Sequence, residues 1–423
     1  MATLRKYENY QDYVDFQKQK TTDPVRRKKW LNEEWDLKLN GFIQEFKKLE
    51  SFIGPETDAL CLGARTGQEV VALKELGVQN VVGIDIVPQE PHVILGDIHD
   101  LDFEDNSFDF VYTNIMDHSI DPKKMVQEIE RVLRVGGLAF IQVQLGVHQD
   151  EYTEFEIKDP FHDVVALFDR SYCVHIGPIK SDFSTNFAAM NFEMVFQKDE
   201  NLDNIFRDIG SVSSLRVPQE YHEIWDEVNL EIQKNKLSEN NILDQEERAS
   251  ILEGLSKRSF FLVSLAKEYE SSGIAEVGTA QGWQFYSFCE YASRTSGKVY
   301  TCDPRDVRND KMRSKYENDL GVGDYTQGTS AEMANKCPKS IDMFYVDGLH
   351  DKGDVIRDVG NLIKCQKEEK NSIWVFDDFD SRFGCYDDIS RLCQMSLRFK
   401  VINVGKTASG NDNHQAILHV KFS

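Results

Sequence analysis

Three absences limit the classes of protein to which this 423-residue chain can belong. Its eight cysteines include no CxxC pair, which argues against a zinc cluster or a disulfide framework. No apolar run approaches the roughly 18 residues that a transmembrane helix needs. The first residues also lack the apolar core of a signal peptide. We therefore expect a cytoplasmic protein with reduced thiols and no membrane span.

Positive charge is scarce as well. Lysine and arginine total 49 against 72 aspartates and glutamates, so the formal net charge is −23. Such a surface repels a phosphate backbone, and the single compact basic run, residues 26–29, is typical of a solvated helix face. General nucleic-acid binding is therefore disfavoured. The apolar content of 40% is that of a chain that folds.

What the sequence does contain is one order of elements that occurs twice. A short apolar run leads into a glycine turn, a helical stretch and a second apolar strand ending in aspartate, over residues 58–85 and again over 273–303. Later apolar strands match too, 108–114 with 341–347 and 137–144 with 372–378. Because strands that alternate with helices predict parallel sheets, the fold class is α/β with two doubly wound, Rossmann-like domains in tandem.

The sequence divides into four predicted regions. Residues 1–50 are predicted to form a helical, amphipathic segment that covers the first sheet as a lid. A first domain is expected over 51–200, a helical linker over 201–270, and a second domain over 271–423.

The two glycine turns, residues 63–67 and 278–282, have the features of ligand-binding loops. Glycine lets a ligand approach the backbone, and the helix that follows offers unpaired N–H groups. An acid at the end of the second strand, here Asp85 or Asp303, can accept both hydroxyls of a ribose. The glycine turn and the strand-end acid together predict that each half binds a nucleoside-containing cofactor. Both turns read G-x-x-x-G rather than the G-x-G-x-x-G that dinucleotide-binding folds prefer.

The motifs LCLGARTG, VVGID, FDFVYTN and EIERVLRVGG follow one another over residues 60–137. In this order they resemble class I S-adenosylmethionine-dependent methyltransferases, and the second half is similar to the same family. The resemblance implies that Asp85 binds the ribose of S-adenosyl-L-methionine and that Asp97 and Ile98 lie at its adenine. The cofactor-binding residues it implies are Gly63, Arg65, Gly67, Asp85, Asp97 and Ile98 in the first half, and Glu276, Gly278, Gly282, Asp303 and Ser330 in the second.

The first loop departs from the family pattern at two positions. The acid that usually stands two residues before the first glycine is Cys61 here, whereas the second half keeps it as Glu276. The middle glycine is replaced by Arg65, which would then contact the methionine carboxylate of the cofactor. The first half is therefore either a second working site or a cofactor-free scaffold.

Carboxylates follow the predicted fourth and fifth strands of the second half. Asp347 closes one strand, and Asp377 with Asp378 closes its neighbour, about 4.8 Å away in a parallel sheet. Carboxylates that close repel one another unless a cation compensates them, and Mg²⁺ is the natural partner. A metal would lower the pKa of an acceptor alcohol, and His350 could take the alcohol's proton.

The corresponding strand ends of the first half carry amides instead. Asn114, Gln142 and Gln144 stand there, so no metal is indicated. His118 is the candidate general base of this half, and His148 is the second candidate.

The arrangement D-x-x-H followed by D-D resembles metal-dependent sugar O-methyltransferases. It implies Asp347, Asp377 and Asp378 as metal ligands and His350 as base, with Asp347 also acting in catalysis. The sequence thus predicts a bifunctional O-methyltransferase for hydroxyls of a glycan or nucleotide-sugar, with Mg²⁺ in the second domain.

Several alternatives stay open. The second domain could be the single active one, with the first as a scaffold, or the acceptor could be catechol-like. A non-enzymatic interaction protein is a further alternative, whereas RNA-cap methylation is disfavoured by the net charge of −23. The oligomeric state, a homo-oligomer included, is not determined by the sequence.

Overall fold

The computed structural model describes residues 5–146, 151–180, 190–209, 245–368, 371–406 and 411–420. The chain forms two compact units, Met1–Asp203 and Asn204–Ser423. The division lies near the start of the predicted linker 201–270, most of which therefore belongs to the second unit. Residues 210–244 of that linker lie outside the described residues.

The first unit begins with the predicted N-terminal helical segment. The Asn9 side chain caps the first helix by accepting the N–H of Asp12, and the Asp23 side chain caps the second. Its helices are α1 (Tyr10–Thr22), α2 (Pro24–Lys28) and α3 (Trp35–Lys47), with a π-helical turn at Lys29–Glu33. Phe46 of α3 packs edge-on against Phe110 of the sheet, which anchors the segment to the core of this unit.

A mostly parallel sheet forms the centre of the first unit. Its strands are β1 (Asp58–Leu62), β2 (Asn80–Asp85), β3 (Val93–Leu95), β4 (Phe108–Thr113), β5 (Leu133–Val143), β6 (Ser171–Pro178) and β7 (Phe192–Lys198). They pair in the order β3-β2-β1-β4-β5-β7-β6, and β7 runs antiparallel to both neighbours. The order reverses between β1 and β4, which is where such sheets bind ligands at their carboxyl edge.

Helices connect these strands. They are α4 (Gln68–Glu75), α5 (Pro122–Val132) and α6 (Pro160–Asp163), with short 3₁₀ turns at Met116–His118 and Val165–Leu167. A further helix, α7 (Glu200–Ile209), follows β7 and continues past Asp203, where the first unit ends. Residues Ala59 to Leu62 of β1 are all buried, as expected for a parallel strand covered on both faces.

The second unit repeats this plan. Its strands are β8 (Gly273–Val277), β9 (Lys298–Asp303), β10 (Gly323–Gln327), β11 (Met343–Val346), β12 (Ser372–Phe376), β13 (Arg398–Lys406) and β14 (Asp412–Val420). They pair in the order β10-β9-β8-β11-β12-β14-β13, with β14 antiparallel. This order matches the first unit strand for strand and confirms the predicted tandem α/β fold.

The helices of the second unit follow the same scheme. They are α8 (Gln245–Glu268), α9 (Trp283–Thr295), α10 (Asp310–Arg313), α11 (Ser330–Ala334), α12 (Asp354–Leu362) and α13 (Tyr386–Met395), with a π-helical turn at Ser314–Asp319 and a 3₁₀ turn at Ile363–Cys365. Across the described ranges, none of the helices combines the length and the apolar character that crossing a membrane requires.

Candidate functional site

The turn between β1 and α4 is the centre of the site in the first unit. Gly63, Arg65 and Gly67 all have left-handed backbone conformations, with φ of +69°, +48° and +92°. Glycine adopts these at little steric cost, whereas arginine does so at a cost. A Cβ on Gly63 would lie 2.2 Å from the side chain of Ile115, so this close approach also requires glycine.

Asp85 lies beside this turn at the end of β2. One carboxylate oxygen accepts the N–H of Arg65 at 3.0 Å, and the other accepts the N–H of Val87 at 2.9 Å. The side chain is buried, and burial raises its pKa. Two main-chain donors thus fix the carboxylate, whose remaining lone pairs can accept ribose hydroxyls.

The second unit has the same geometry. Gly278, Ala280 and Gly282 have φ of +96°, +43° and +92°, as at the matching positions of the first unit. Asp303 accepts the N–H of Ala280 at 3.0 Å and that of Arg305 at 2.8 Å. We call each turn, with its strand-end aspartate, a cradle. The structure brings the predicted glycines and aspartates together in both cradles.

A buried acid accompanies each cradle, but from a different element. In the second unit Glu276 of β8 is 1% exposed, accepts the Thr301 hydroxyl at 2.6 Å, and has its pKa raised to about 8 by burial. The first unit has Cys61 at that position and buries Glu69 of α4 instead, with a pKa raised to about 7 by burial. Gln284 stands where the second unit would have Glu69, so the acid and a neutral residue have exchanged places.

Glu69 was not predicted as a site residue, although an alignment of the two halves of the sequence would have indicated it. Gly63 and Gly278 lie 215 positions apart, and the same offset pairs Cys61 with Glu276 and Glu69 with Gln284. The side chain of Glu69 is 7% exposed, and its Oε2 has no hydrogen-bond partner among the described residues. An unpaired buried carboxylate oxygen is costly, which makes Glu69 a candidate for contact with a ligand.

The predicted adenine edge of the first unit contacts the N-terminal segment. Asp97 accepts the hydroxyl of Tyr10 at 2.6 Å and the N–H of His99 at 2.8 Å. Burial opposes ionisation, but the hydrogen bonds from His99 and Tyr10 lower the pKa of Asp97 to about 2. A cavity of about 60 Å³ is lined by Tyr10, Asp97, the buried Ile98 and Asp85, so α1 borders the place predicted for the cofactor.

Ser330, the residue predicted for the adenine region of the second unit, connects two helices. Its hydroxyl donates to Asp358 at 2.5 Å and accepts from the Asn361 amide at 2.9 Å. These bonds join α11 to α12, so the hydroxyl already has partners within the protein.

A larger cavity of about 490 Å³ adjoins the first cradle and contains His118 in its wall. His118 Nδ1 lies 2.9 Å from the carbonyl oxygen of Tyr152, and Nε2 lies 3.0 Å from Lys20 Nζ. Because a carbonyl only accepts and an ammonium only donates, we assign the proton to Nδ1. The Nε2 lone pair therefore faces Lys20. His148, the second candidate base, lies outside the described residues.

In the second unit, Asp347, His350 and Asp378 form one cluster. Their ligand atoms all lie within 4.8 Å of one another. His350 Nε2 is 3.1 Å from Asp378 Oδ2 and 4.0 Å from Asp347 Oδ1. The nearby carboxylate of Asp347, followed by that of Asp378, raises the pKa of His350, although partial burial opposes this. The cluster concentrates negative charge that a cation would stabilise.

Asp377 has a different partner from the one predicted. The guanidinium of Arg258, on α8, contacts Asp377 directly and lies 3.7 Å from Asp347. The amide of Gln415 also donates to Asp377 at 3.1 Å. Asp377 therefore pairs with an arginine, and His350 rather than Asp377 stands with the two other carboxylates. Arg258 was missed because α8 carries no local motif that points to the sheet edge.

The donor set of this cluster fits a divalent ion. Two carboxylates are ligands that Mg²⁺ accepts, and the imidazole adds a nitrogen that transition metals accept more readily. The buried Tyr345 hydroxyl donates to Asp347 at 3.1 Å, which helps to orient that carboxylate. Asp347 and Asp378 are the residues that would hold such an ion.

Comparison with known proteins gives the same division of the chain. Residues 60–141 match a family model described as a methyltransferase domain, and residues 275–379 match a second model with that description. Uncharacterized methyltransferases of Mycobacterium tuberculosis and Mycobacterium bovis are 35% identical over 88 residues, covering 18% of this chain and 36% of theirs. The chain thus spans about a third of the length of these relatives.

Solved structures of methyltransferases are also similar to it. A 1,6-didemethyltoxoflavin-N1-methyltransferase of Burkholderia thailandensis, with bound S-adenosylhomocysteine, is 16% identical over 47% of this chain and 93% of that one, with a TM-score of 0.36. An S-adenosylmethionine-dependent methyltransferase of Methanosarcina mazei is 15% identical over 36% and 97%, with a TM-score of 0.30.

The matched segments contain both cradles. Each unit therefore carries a methyltransferase domain, and the predicted tandem arrangement is confirmed. The likeness of the second half to sugar O-methyltransferases stays a prediction.

Proposed function

We propose that the chain is a bifunctional O-methyltransferase that binds S-adenosyl-L-methionine in each unit. The observation that carries the proposal is the duplicated cradle, in which Asp85 and Asp303 each accept two main-chain N–H groups beside a left-handed turn. The cofactor supplies an electrophilic methyl group on its sulfonium. The cradles would hold its ribose and the methionine end next to the strand-order reversal.

The buried acids support cofactor binding by both units. The ammonium of the methionine end needs a negative partner, and Glu276 is the candidate in the second unit. In the first unit Glu69 takes this role in place of Cys61, since its Oε2 has no partner among the described residues. Arg65 lines the same cavity and would receive the methionine carboxylate.

The acceptor of the second unit is proposed to be a sugar hydroxyl. Asp347 and Asp378 would hold Mg²⁺, which lowers the pKa of a bound alcohol. His350 takes the hydroxyl proton while the oxygen forms its bond to the methyl carbon and the carbon–sulfur bond breaks. The positive charge of Arg258 compensates the negative charge of Asp377, so Asp347 and Asp378 are the carboxylates that the ion would compensate.

A second candidate function keeps one active domain, the second, with the first as a cofactor-binding scaffold. It is favoured by His118, whose Nδ1 is bound to a carbonyl and whose Nε2 faces the ammonium of Lys20. The contact between His118 Nε2 and Lys20 Nζ must break before His118 can accept a proton. His118 is then not a ready base for the first unit.

Calorimetric titration of S-adenosylhomocysteine into the intact chain, with and without Mg²⁺, tests the proposal. Two equivalents bound, one of them lost on Asp85→Ala and the other on Asp303→Ala, is the expected result. One equivalent lost only on Asp303→Ala would remove the first unit from the cofactor chemistry. No binding at all would overturn the methyltransferase proposal for both units.

A further inference from the structure

The large cavity of the first unit has a charge that is unusual for this chain. Five basic side chains line it, against three acidic ones, although acids outnumber bases by 72 to 49 in the whole sequence. The basic residues are Lys20, Arg26, Lys29, Lys38 and Arg65, and the acidic ones are Glu34, Glu69 and Asp117. Its volume of about 490 Å³ is within the range of small-molecule sites.

Two of these cations are held on one aromatic ring. The guanidinium carbon of Arg65 lies 4.4 Å from the ring centre of the buried Trp30, and Lys38 Nζ lies 5.7 Å from the same ring. Such contacts fix the cations without neutralising them. Burial, and then repulsion from Arg65, lowers the pKa of Lys38, so the two like charges act on each other.

The acids that line the cavity are fewer than the bases, although Arg26 also pairs with Glu151, outside the lining, at 2.8 Å. Glu34 is shared by two lysines, at 2.8 Å from Lys29 Nζ and 3.0 Å from Lys38 Nζ. Glu69 has a pKa of about 7, so roughly half of it is neutral at that pH. Arg65 makes no close ion pair among the described residues, although Glu69 and Asp85 are charged neighbours that interact with it.

The corresponding edge of the second unit has the opposite chemistry. Asn114 lines the cavity of the first unit where Asp347 follows the matching strand of the second, and Gln142, which the strand pairing matches with Asp377, is likewise an amide. A neutral amide adds no negative charge at these strand ends, so among the described residues the ion pairs of Lys29 and Lys38 are those with Glu34. The methionine carboxylate of the cofactor is one anion and can satisfy Arg65, which leaves Lys38 and Lys29 on the acceptor side.

We propose that the first unit takes an acceptor that carries a phosphate or carboxylate group, which Lys38 and Lys29 bind beside Trp30. This inference rests on the proposed function and names the substrate class of its first site. The two units would then act on acceptors, or on parts of one acceptor, with different charge.

Three probes that share one sugar ring test this on the intact chain saturated with S-adenosylhomocysteine. Glucose, glucuronate and glucose 6-phosphate are titrated calorimetrically at 0.15 M salt, where attraction to exposed surface charge is largely screened. We expect at least one anionic probe to bind at least about tenfold more tightly than glucose, since ionic hydrogen bonds are the strong ones. The carboxylate and phosphate arms identify which anion the site prefers.

Variants place the binding at this cavity. Lys38→Gln should weaken the anionic probe about tenfold or more. Lys47→Gln, which changes an exposed lysine on the same helix, should leave it unchanged. Lys29→Gln, at a side chain that is 58% exposed, provides a second variant with little effect on folding and should also weaken the probe.

Three results would overturn the inference. Glucose could bind as tightly as the anions, Lys47→Gln could weaken binding as much as Lys38→Gln, or no probe could bind although the first unit takes up S-adenosylhomocysteine. In each case the proposed methyltransferase function would stand. Failure of S-adenosylhomocysteine to bind the first unit would instead remove the function on which the inference rests.

Discussion

At the scale of single residues, each unit has one buried glutamate beside its cradle. This glutamate stands on a helix in the first unit and on a strand in the second. Cys61 and Glu69 in the first unit correspond to Glu276 and Gln284 in the second. A carboxyl group in this place is costly to bury, as the raised pKa values of both glutamates show. Retaining one such group per unit, from either element, is understandable if a cationic ligand group compensates it.

This exchange predicts the outcome of a swap experiment. In a chain whose second site is disabled by Asp303→Ala, Glu69→Gln should weaken S-adenosylhomocysteine binding by about tenfold or more, because the ligand's ammonium loses its ionic partner. The double change of Glu69→Gln with Cys61→Glu recreates the arrangement of the second unit and should restore most of the affinity. Calorimetric titration measures both.

The control for the swap is Cys61→Glu alone. It should not tighten binding, because two carboxyl groups in one buried space repel each other. If Glu69→Gln bound the ligand as well as the parent chain, Glu69 would have no role in cofactor recognition.

The pKa of Glu69 also predicts a pH dependence. Burial raises it from 4.5 to about 7 in the free protein, with Arg65, Lys38 and Asp85 as its charged neighbours. A raised carboxyl pKa contributes stability below pH 4.5 that is lost as the pH rises through about 7. Binding of an ammonium favours the ionised form, so the affinity of the first unit for S-adenosylhomocysteine should rise about tenfold from pH 6 to pH 8.

Titrations at pH 6, 7 and 8 with the second site disabled by Asp303→Ala check this expectation. The Glu69→Gln variant is the control, since an amide does not titrate and its affinity should change little over the same range. An equal pH response in that variant would assign the effect to another group.

At the scale of elements, the turn after the first strand determines where each cradle can form. In the second unit a Cβ on Gly278 would lie 1.9 Å from the carbonyl oxygen of Asp347, and φ is +96°. Gly353 also has a positive φ, +90°, but nothing lies within 4 Å of a Cβ there. A Cβ at Gly353 would therefore cause backbone strain alone, whereas a Cβ at Gly278 would also clash with the main chain.

Alanine substitutions at these two glycines should therefore differ. Gly353→Ala is expected to cost about 1–2 kcal/mol of unfolding free energy through strain alone. Gly278→Ala should cost at least about 2 kcal/mol more, because the end of β11 must shift away from the turn. Denaturant unfolding monitored by circular dichroism measures both. Equal losses would show that β11 adapts to the turn without cost.

The elements were easier to predict from the sequence than the contacts between them. Apolar runs that end in glycine or aspartate gave the strands around Gly63 and Gly278, because buried parallel strands leave a strong local signal. Arg258 and Tyr10 reach their sites from helices distant in sequence. No local pattern shows that Arg258 pairs with Asp377 or that Tyr10 donates to Asp97.

At the scale of the whole molecule, the chain joins two units that share a strand order and a cradle but differ at the acceptor edge. The first unit has amides at the strand ends and a cavity rich in lysine, and the second has carboxylates and an arginine that pairs with one of them. We propose that the shared parts bind one cofactor and that the different parts bind different acceptors. Duplication followed by divergence at the acceptor edge would produce this pattern.

The same contrast predicts one divalent ion per chain, bound by the second unit. Asp378→Asn should weaken Mg²⁺ or Mn²⁺ binding by more than about tenfold, since it removes a charged ligand. Asp387→Asn is the matched control, because this aspartate is more than half exposed and pairs with Lys352 on the surface. Calorimetric metal titration should show a single site that Asp378→Asn weakens and Asp387→Asn retains.

Removal of the ion by a chelator should affect the units unequally. Methyl transfer by the second unit should fall, because its acceptor hydroxyl loses the ion that lowers its pKa. The first unit has Asn114 and Gln142 at the equivalent strand ends, which are poor substitutes for carboxylates, so its S-adenosylhomocysteine binding and transfer should persist. Loss of both activities on chelation, or two ions per chain, would contradict this assignment. If methyl transfer by the second unit resisted the chelator, Arg258, 3.7 Å from Asp347, would supply the positive charge that compensates this carboxylate. The acid cluster would then be a site for the acceptor's hydroxyls.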